Sequence, residues 1–272
     1  MRRDLDMRRP ARVTIDAVGD IMLGRDVGRV IAAKGAAYPF EAVRPAMAGA
    51  DLRFGNLELP LTERGTATNK DYVFRAPPSS AAGLAAAGFN IVSLANNHAL
   101  DYGAEGLLDT MSALDRAGIR YAGAGRTMDE AHAPALLTVK GIRIALLAYV
   151  NVPNDSRTGW VAESSAATAT RPGVAWGTAA AVRRDVAAAK AKAEVVVVSI
   201  HSGYEYTANP NAIQREPPTP PSTPALRSCS AATRTSFRAW SSIGARRSSI
   251  AWATSSSTWM TTTAASRDCP RC

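Results

Sequence analysis

The chain has 272 residues, 46% of them hydrophobic and 20% charged, and a formal net charge of +9. This composition describes a globular protein with one sizeable core and excludes collagen, coiled-coil and wholly disordered classes. No run approaches the ~20 apolar residues that a membrane-spanning helix needs. The opening MRRDLDMRRPARVTIDAVGD has arginines but no apolar stretch before the first strand-like run, so no secretory signal and a cytoplasmic location are expected.

The charge is unevenly distributed. Residues 217–272 hold seven of the 32 Lys/Arg, one of the 23 Asp/Glu (Asp268), all three cysteines and three of the five tryptophans. Residues 1–216 therefore carry a net +3 and the following stretch +6. The basic balance belongs to a Ser/Thr/Pro-rich tail, not to a stripe on a folded face, so nucleic acid is not expected as a partner. Cys229, Cys269 and Cys272 lack the spacing of metal ligands.

From residue 11 onward, short apolar runs alternate with Ala/Leu-rich helical patterns, the rhythm of an α/β fold. ARVTIDAVGD (11–20) reads as a buried strand that ends in a polar loop, and AGADLRFGN (48–56) as another, with Leu52 and Phe54 on one face. SSAAGLAAAG (79–88) suits a helix and FNIVSL (89–94) a strand. Residues 103–118 predict a helix with an apolar stripe of Leu107, Leu108, Met111 and Leu114, closed by Gly118. VKGIRIALLAYV (139–150) reads as a hairpin running into a buried strand, 178–193 as a helix, and EVVVVSI (194–200) as a β-branched buried strand. The polar, aperiodic segment 151–173 is expected to be a long loop lying over the site.

Four predicted strand ends carry possible ligands: Asp20 in VGDIMLGR, Asn56 and Glu58 in GNLELPLT, Asn97 and His98 in SLANNHALDYG, and His201 with Glu205 in HSGYEY. Each alone has an ordinary reading. Asp20, Asn56 and Glu58 suit turns, the asparagines before His98 suit a helix cap, and a lone His201 suits a hydrogen-bonded core histidine. Together they supply carboxylate, amide oxygen and imidazole at the carboxyl ends of strands, where ligands of open α/β sheets bind.

Across residues 13–216, VGDIMLGR, NLELPLT, SLANNHALDYGAEGLLDTMSALDRAGIRYAGAG and HSGYEY resemble the successive motifs of the CapA-type capsule, or poly-γ-glutamate, synthesis family. The resemblance implies a calcineurin-like metallophosphatase-type layered α/β sandwich with two divalent metal ions. By motif, Asp20, Glu58, Asn97 and His201 correspond to metal ligands and His98 to the acid beside the substrate oxygen. Asn56, Asp101, Glu205 and Arg25 correspond to supporting or substrate-contacting groups. Ser202 departs from the family, which more often has Trp after this histidine. The implied partners are a phosphoester or polyanionic polymer and the subunits of a capsule synthase or exporter. The implied chemistry is two-metal hydrolysis, with a non-catalytic accessory role as the alternative.

The same resemblance leads one to expect a Gly-x-His-Pro-His motif and a Ser-Leu-Gly-Asn-Phe segment further on, and neither is present. The chain has only His98, His132 and His201, and His132 falls in what reads as an ordinary Ala/Pro loop. Reading Ser230–Arg238 with each codon begun one nucleotide earlier permits Gly-x-His-Pro-His-Val-Val-Gln. The same shift permits Ser-Leu-Gly-Asn-Phe within 247–261. The expected organisation is therefore an arm (1–12), an incomplete CapA-like domain (13–216) and a tail (217–272) that is non-native through an out-of-frame reading, with a natural Ser/Thr/Pro-rich disordered tail as the alternative, leaving a metal site short of part of its shell and catalysis impaired.

Overall fold

A computed structural model of the chain describes residues 12–203 and three later strands, 235–241, 253–254 and 260–263. The first half is a β/α run: β1 (Thr14–Ile21), α1 (Arg25–Lys34), α2 (Arg44–Met47), β2 (Leu52–Leu57), α3 (Ser80–Ala87), β3 (Ile91–Ser93), α4 (Gly103–Arg116) and β4 (Arg120–Ala122). The second half contains β5 (Ala124–Gly125), α5 (Met128–His132), β6 (Ala135–Val139), β7 (Ile142–Asn151), β8 (Gly173–Val174), α6 (Ala179–Lys190) and β9 (Val195–Ser202). The later strands are β10 (Thr235–Ser241), β11 (Ala253–Thr254) and β12 (Met260–Thr263).

Two five-stranded sheets result, ordered β12-β1-β2-β3-β4 and β11-β10-β9-β7-β6, with β5 and β8 forming a small separate pair. β1 through β4 are parallel, as are β7 and β9, whereas β6 and β7 form a hairpin across Lys140 and Gly141. Both turn residues have positive φ, 50° and 80°, the backbone hand that a two-residue hairpin needs.

The period of two along the long strands builds the layers. On β7, Ile144, Leu146, Ala148 and Val150 join the large core shared with the first sheet, together with Val195 and Val197 of β9. The alternate residues Ala145, Leu147 and Tyr149, with Val196, Val198 and Ile200, join Val182, Val186 and Ala189 of α6. Leu84 of α3 and Leu107, Met111 and Leu114 of α4 pack on the first sheet. The layering is thus helix, sheet, sheet, helix. The α/β reading holds, and β2 begins only at Leu52, not at Ala48, because the chain turns through residues 48–51 after the short helix Arg44–Met47.

Several features were not read from the sequence, among them α2, β4 and the β5–β8 pair. Helix α1 begins at Arg25, separated from the end of β1 by three residues. His132, expected in an ordinary loop, instead ends α5 and places its Nδ1 2.7 Å from Asp185 Oδ2, while the Tyr149 hydroxyl donates to the same oxygen at 3.0 Å. Arg184 Nε donates to the other oxygen at 2.8 Å. Asp185 thereby ties α6 to α5 and to the face of β7.

Within 217–272, β10 runs antiparallel along β9 from Thr235 opposite His201 to Ser241 opposite Val195, β11 pairs with β10, and β12 lies antiparallel to β1. The remaining residues of that stretch, and so the rest of the expectation for it, lie outside the described residues.

Burial pushes the Asp185 carboxyl up, but hydrogen bonds from His132 and Arg184 outweigh it and hold the group below its ordinary 3.8. A lowered folded-state value means that the stabilisation is present above the unfolded value and lost as pH falls through the folded one. Asp185→Ala is expected to cost on the order of 2–3 kcal/mol in urea unfolding at neutral pH. The difference from wild type should shrink in acid below about pH 4.

Candidate functional site

The site forms where the carboxyl ends of β1, β2 and β3 meet the end of β9. A register shift in the β1–β2 pairing between Ala17 and Asp20 sets Asp20 opposite Asn56. A bulge of this kind re-aims a strand-end side chain. Gly55 permits the close approach, since a Cβ there would stand 2.4 Å from Ile21 Cδ1 and 2.9 Å from Val18 Cγ2.

Asn56, fully buried, donates its Nδ2 to Asp20 Oδ1 at 2.8 Å and lies 3.3 Å from His201 Nδ1. Its Oδ1 accepts from Asn96 Nδ2 at 3.0 Å, and Asn96 also donates to the Leu57 carbonyl at 2.8 Å. Asn96 Oδ1 accepts the His98 backbone N–H at 3.0 Å. Asn96, read from sequence as a possible helix cap, is instead a buried clamp between β2 and the turn that presents Asn97 and His98.

The ligand atoms of Asp20, Glu58 and His201 all lie within 4.8 Å of one another. His201 Nε2 is 2.7 Å from Asn97 Oδ1 and 3.7 Å from Glu58 Oε1, and its Nδ1 is 3.9 Å from Asp20 Oδ1. Two carboxylates and an imidazole are donors that could hold a divalent cation, with Asn97 Oδ1 against the imidazole, and their spacing is about twice a metal–ligand bond of 2.0–2.4 Å. These residues fit such an ion. Among the described residues this is the one group of three or more His, Cys, Asp or Glu so arranged.

Beside it, His98 Nδ1 lies 2.7 Å from Asp101 Oδ2, and the His98 ring packs on Phe74 with centroids 4.3 Å apart. Asp101 is fully buried and also accepts the Phe74 backbone N–H at 2.7 Å. With Nδ1 held by Asp101, proton exchange with a bound molecule would go through Nε2. His98 faces a cleft of about 400 Å³, also lined by Lys70, Tyr72, Asn97, Arg157 and Trp160. Residues 152–157 of the polar segment form one wall.

Lys70 was not read from the sequence as a site residue, because a lysine in a Gly/Thr/Asn loop ordinarily points to water. Its side chain is only 6% exposed. Burial pushes its ammonium down from the ordinary lysine value, while the Asp101 carboxylate, and after it Glu58 and Asp155, act in the opposite direction. Arg25 is exposed, has φ of 52°, and places its guanidinium 6.0 and 5.9 Å from the Tyr72 and Phe74 rings. Glu205 lies outside the described residues.

A sequence profile for the bacterial capsule synthesis protein PGA_cap matches residues 14–217. The chain belongs to this family. PGA_cap proteins have a calcineurin-like fold, in accord with the two packed sheets. The capsule biosynthesis protein CapA of Bacillus anthracis is 31% identical over 215 residues, covering 76% of this chain and 50% of its own length. The PGA biosynthesis protein CapA of Bacillus subtilis is 33% identical over 202 residues, covering 73% and 51%. A probable polyglutamine synthesis accessory protein of Mycobacterium tuberculosis is 37% identical over 157 residues, covering 54% and 40%. The chain therefore spans about half the length of the Bacillus relatives. No helix among the described residues is long and apolar enough to cross a membrane.

Divalent cation is expected to stabilise this PGA_cap chain by mass action, by about 2.7 kcal/mol at a hundredfold excess over Kd. In differential scanning fluorimetry, manganese or zinc should raise Tm and EDTA should reverse the rise. Asp20→Asn and Glu58→Gln should abolish the effect, and His98→Gln should retain it.

Proposed function

We propose that this PGA_cap chain carries a metallophosphoesterase-like site for capsule or poly-γ-glutamate biosynthesis, with Asp20, Glu58, Asn97 and His201 as metal ligands and His98 as general acid. The observation that carries this reading is the convergence of Asp20, Glu58 and His201 from three separate strand ends, beside a histidine oriented by a buried aspartate. Like-charged carboxylates brought this close favour a cation between them. Bound divalent ions would supply Lewis-acid polarisation of a phosphoryl oxygen and an activated water. Asn56 orients Asp20, Asn96 fixes the His98 turn, and His98 would deliver a proton from Nε2 to the leaving oxygen. Arg25, held over Tyr72 and Phe74, would meet an anionic group of the substrate.

Two ions are the family expectation, and the described residues supply one three-ligand group. The shifted reading frame after about residue 216 would provide the further His-Pro-His ligands. On this reading residues 13–216 are the domain and catalysis by this chain is impaired, with a cytoplasmic site of action as one location and a membrane-associated or exported one as the alternative. The partners are a phosphoester or polyanionic polymer and the subunits of a capsule synthase or exporter. A non-catalytic accessory role is the second reading, favoured by the accessory designation of the mycobacterial relative.

Resequencing the gene across codons 205–240 tests the frame: a single inserted or deleted base supports it, and stop codons in the other frame within this stretch refute it. For the hydrolase reading, metal content and hydrolysis of a phosphodiester are measured on the frame-restored protein. His98→Gln should lower kcat by about 10²- to 10⁴-fold with metal still bound. Function in polymer synthesis that survives Asp20→Asn and His98→Gln would favour the accessory role.

A further inference from the structure

Lys70 occupies a position that the metal-centred description leaves unexplained. Its Nζ donates to Asp101 Oδ1 at 2.5 Å and to the Asn97 carbonyl at 2.7 Å, and lies 3.4 Å from His98 Nδ1. Asp101 is fully enclosed. A buried carboxylate is tolerated only with a counter-charge and filled lone pairs, and here Oδ1 faces Lys70 while Oδ2 accepts from Phe74 and meets His98. The Asn97 carbonyl belongs to the peptide that joins Asn97 to His98. One ammonium therefore grips both the main chain that aims these two side chains and the carboxylate that orients the imidazole.

The lysine is in turn held from outside. Its Nζ sits 4.7 Å from the centre of the Trp160 ring, the adjoining Asp71 pairs with Arg157 at 2.5 Å, and Asn69 Nδ2 approaches the Thr158 carbonyl at 3.4 Å. The segment that walls the cleft thus presses the lysine onto the His98 turn. A compact ammonium serves here because its three hydrogens can point to partners in different directions, which a planar amide or guanidinium cannot match at one atom.

We propose that Lys70 is the positioning residue of this site: by pairing with Asp101 and holding the Asn97 carbonyl, it keeps the His98 Nδ1–H on Asp101 and Nε2 turned to the cleft, so that Nε2 is bare in the neutral ring (the Nδ1–H tautomer) and carries the transferable proton in the imidazolium that acts as the acid. The tautomer assignment stands on geometry alone, and its consequence for catalysis rests on the hydrolase reading above.

The test is ring ¹⁵N NMR of the full 272-residue chain at about pH 8, where an ordinary imidazole is neutral. The chain has three histidines, and His132, held by Asp185, reports whether the fold is intact. Wild type is expected to show His98 as a single Nδ1–H tautomer. Lys70→Met should convert it to a mixture of tautomers with the His132 signals unchanged, and Lys70→Arg should restore the single tautomer in part. If Lys70→Met fails to fold, Trp160→Ala, which loosens the lysine without removing its charge, should shift His98 in the same direction by less. An unchanged His98 pattern in folded Lys70→Met, or in Trp160→Ala where Lys70→Met does not fold, overturns the proposal.

The frame-restored protein supplies a second readout. Loss of an oriented acid should lower kcat about 10- to 100-fold for a poor alkoxide leaving group and little for an activated aryl leaving group. An equal loss on both substrates counts against positioning of His98. Hydrolysis of neither substrate by the unsubstituted protein refutes the hydrolase reading, while the NMR result still decides the role of Lys70.

Discussion

The paired amides of Asn56 and Asn96 are the constraint on which the site depends. Both side chains are fully buried, and neither could sit there without its partner, because a buried amide deprived of hydrogen bonds costs roughly 1–3 kcal/mol. Satisfying them leaves little freedom. Asn96 must reach the end of β2, and once it does, its Oδ1 caps the His98 amide and the turn is set. Asn56 must then direct its Nδ2 between Asp20 and His201. Four side chains are thereby aligned by groups that take no direct part in the proposed chemistry.

His201 makes the site a product of the whole sandwich. It lies on β9 of the second sheet, whereas Asp20, Asn56 and Glu58 come from the first, and its ring is almost wholly enclosed. Its position is fixed by the parallel β7–β9 pairing, where Val150 lies opposite His201, and by the alternating residues that pack each side of those strands. A change in how the two sheets pack would move His201 relative to the carboxylates. Protein cores resist such displacement because they are close-packed.

The strand ends were legible because polar residues placed at the close of apolar runs are conspicuous: GD after VTIDAV, NLE after LRFG and HS after VVVVSI. The helices over 80–87, 103–116 and 179–190 were legible from composition and period. What escaped was whatever depends on distant pairing. Lys70 lies in a loop with no periodicity, and its burial exists only because Asp101, 31 residues away, needs a counter-charge. His132 and Asp185 are 53 residues apart and meet only when α6 docks on β7. Arg25 had a motif to mark it but nothing to show its left-handed backbone, a conformation that costs a non-glycine residue roughly 1–2 kcal/mol and is held here at the junction of β1 and α1.

The charges around the cleft are largely spent on one another. Lys70 is committed to Asp101 and Arg157 to Asp71, so neither presents an unopposed cation to a ligand. A trough meant to attract a polyanion by long-range field alone would instead show a surplus of one sign. Under the proposed function an anionic group would be attracted at two places: an ion held among Asp20, Glu58 and His201, and the Arg25 guanidinium near Tyr72 and Phe74. With the Trp160 ring and the half-exposed Tyr72 lining the cleft that His98 faces, recognition at the proposed site would depend on the placement of one charged group against a partly apolar wall, more than on the total charge of the molecule that enters.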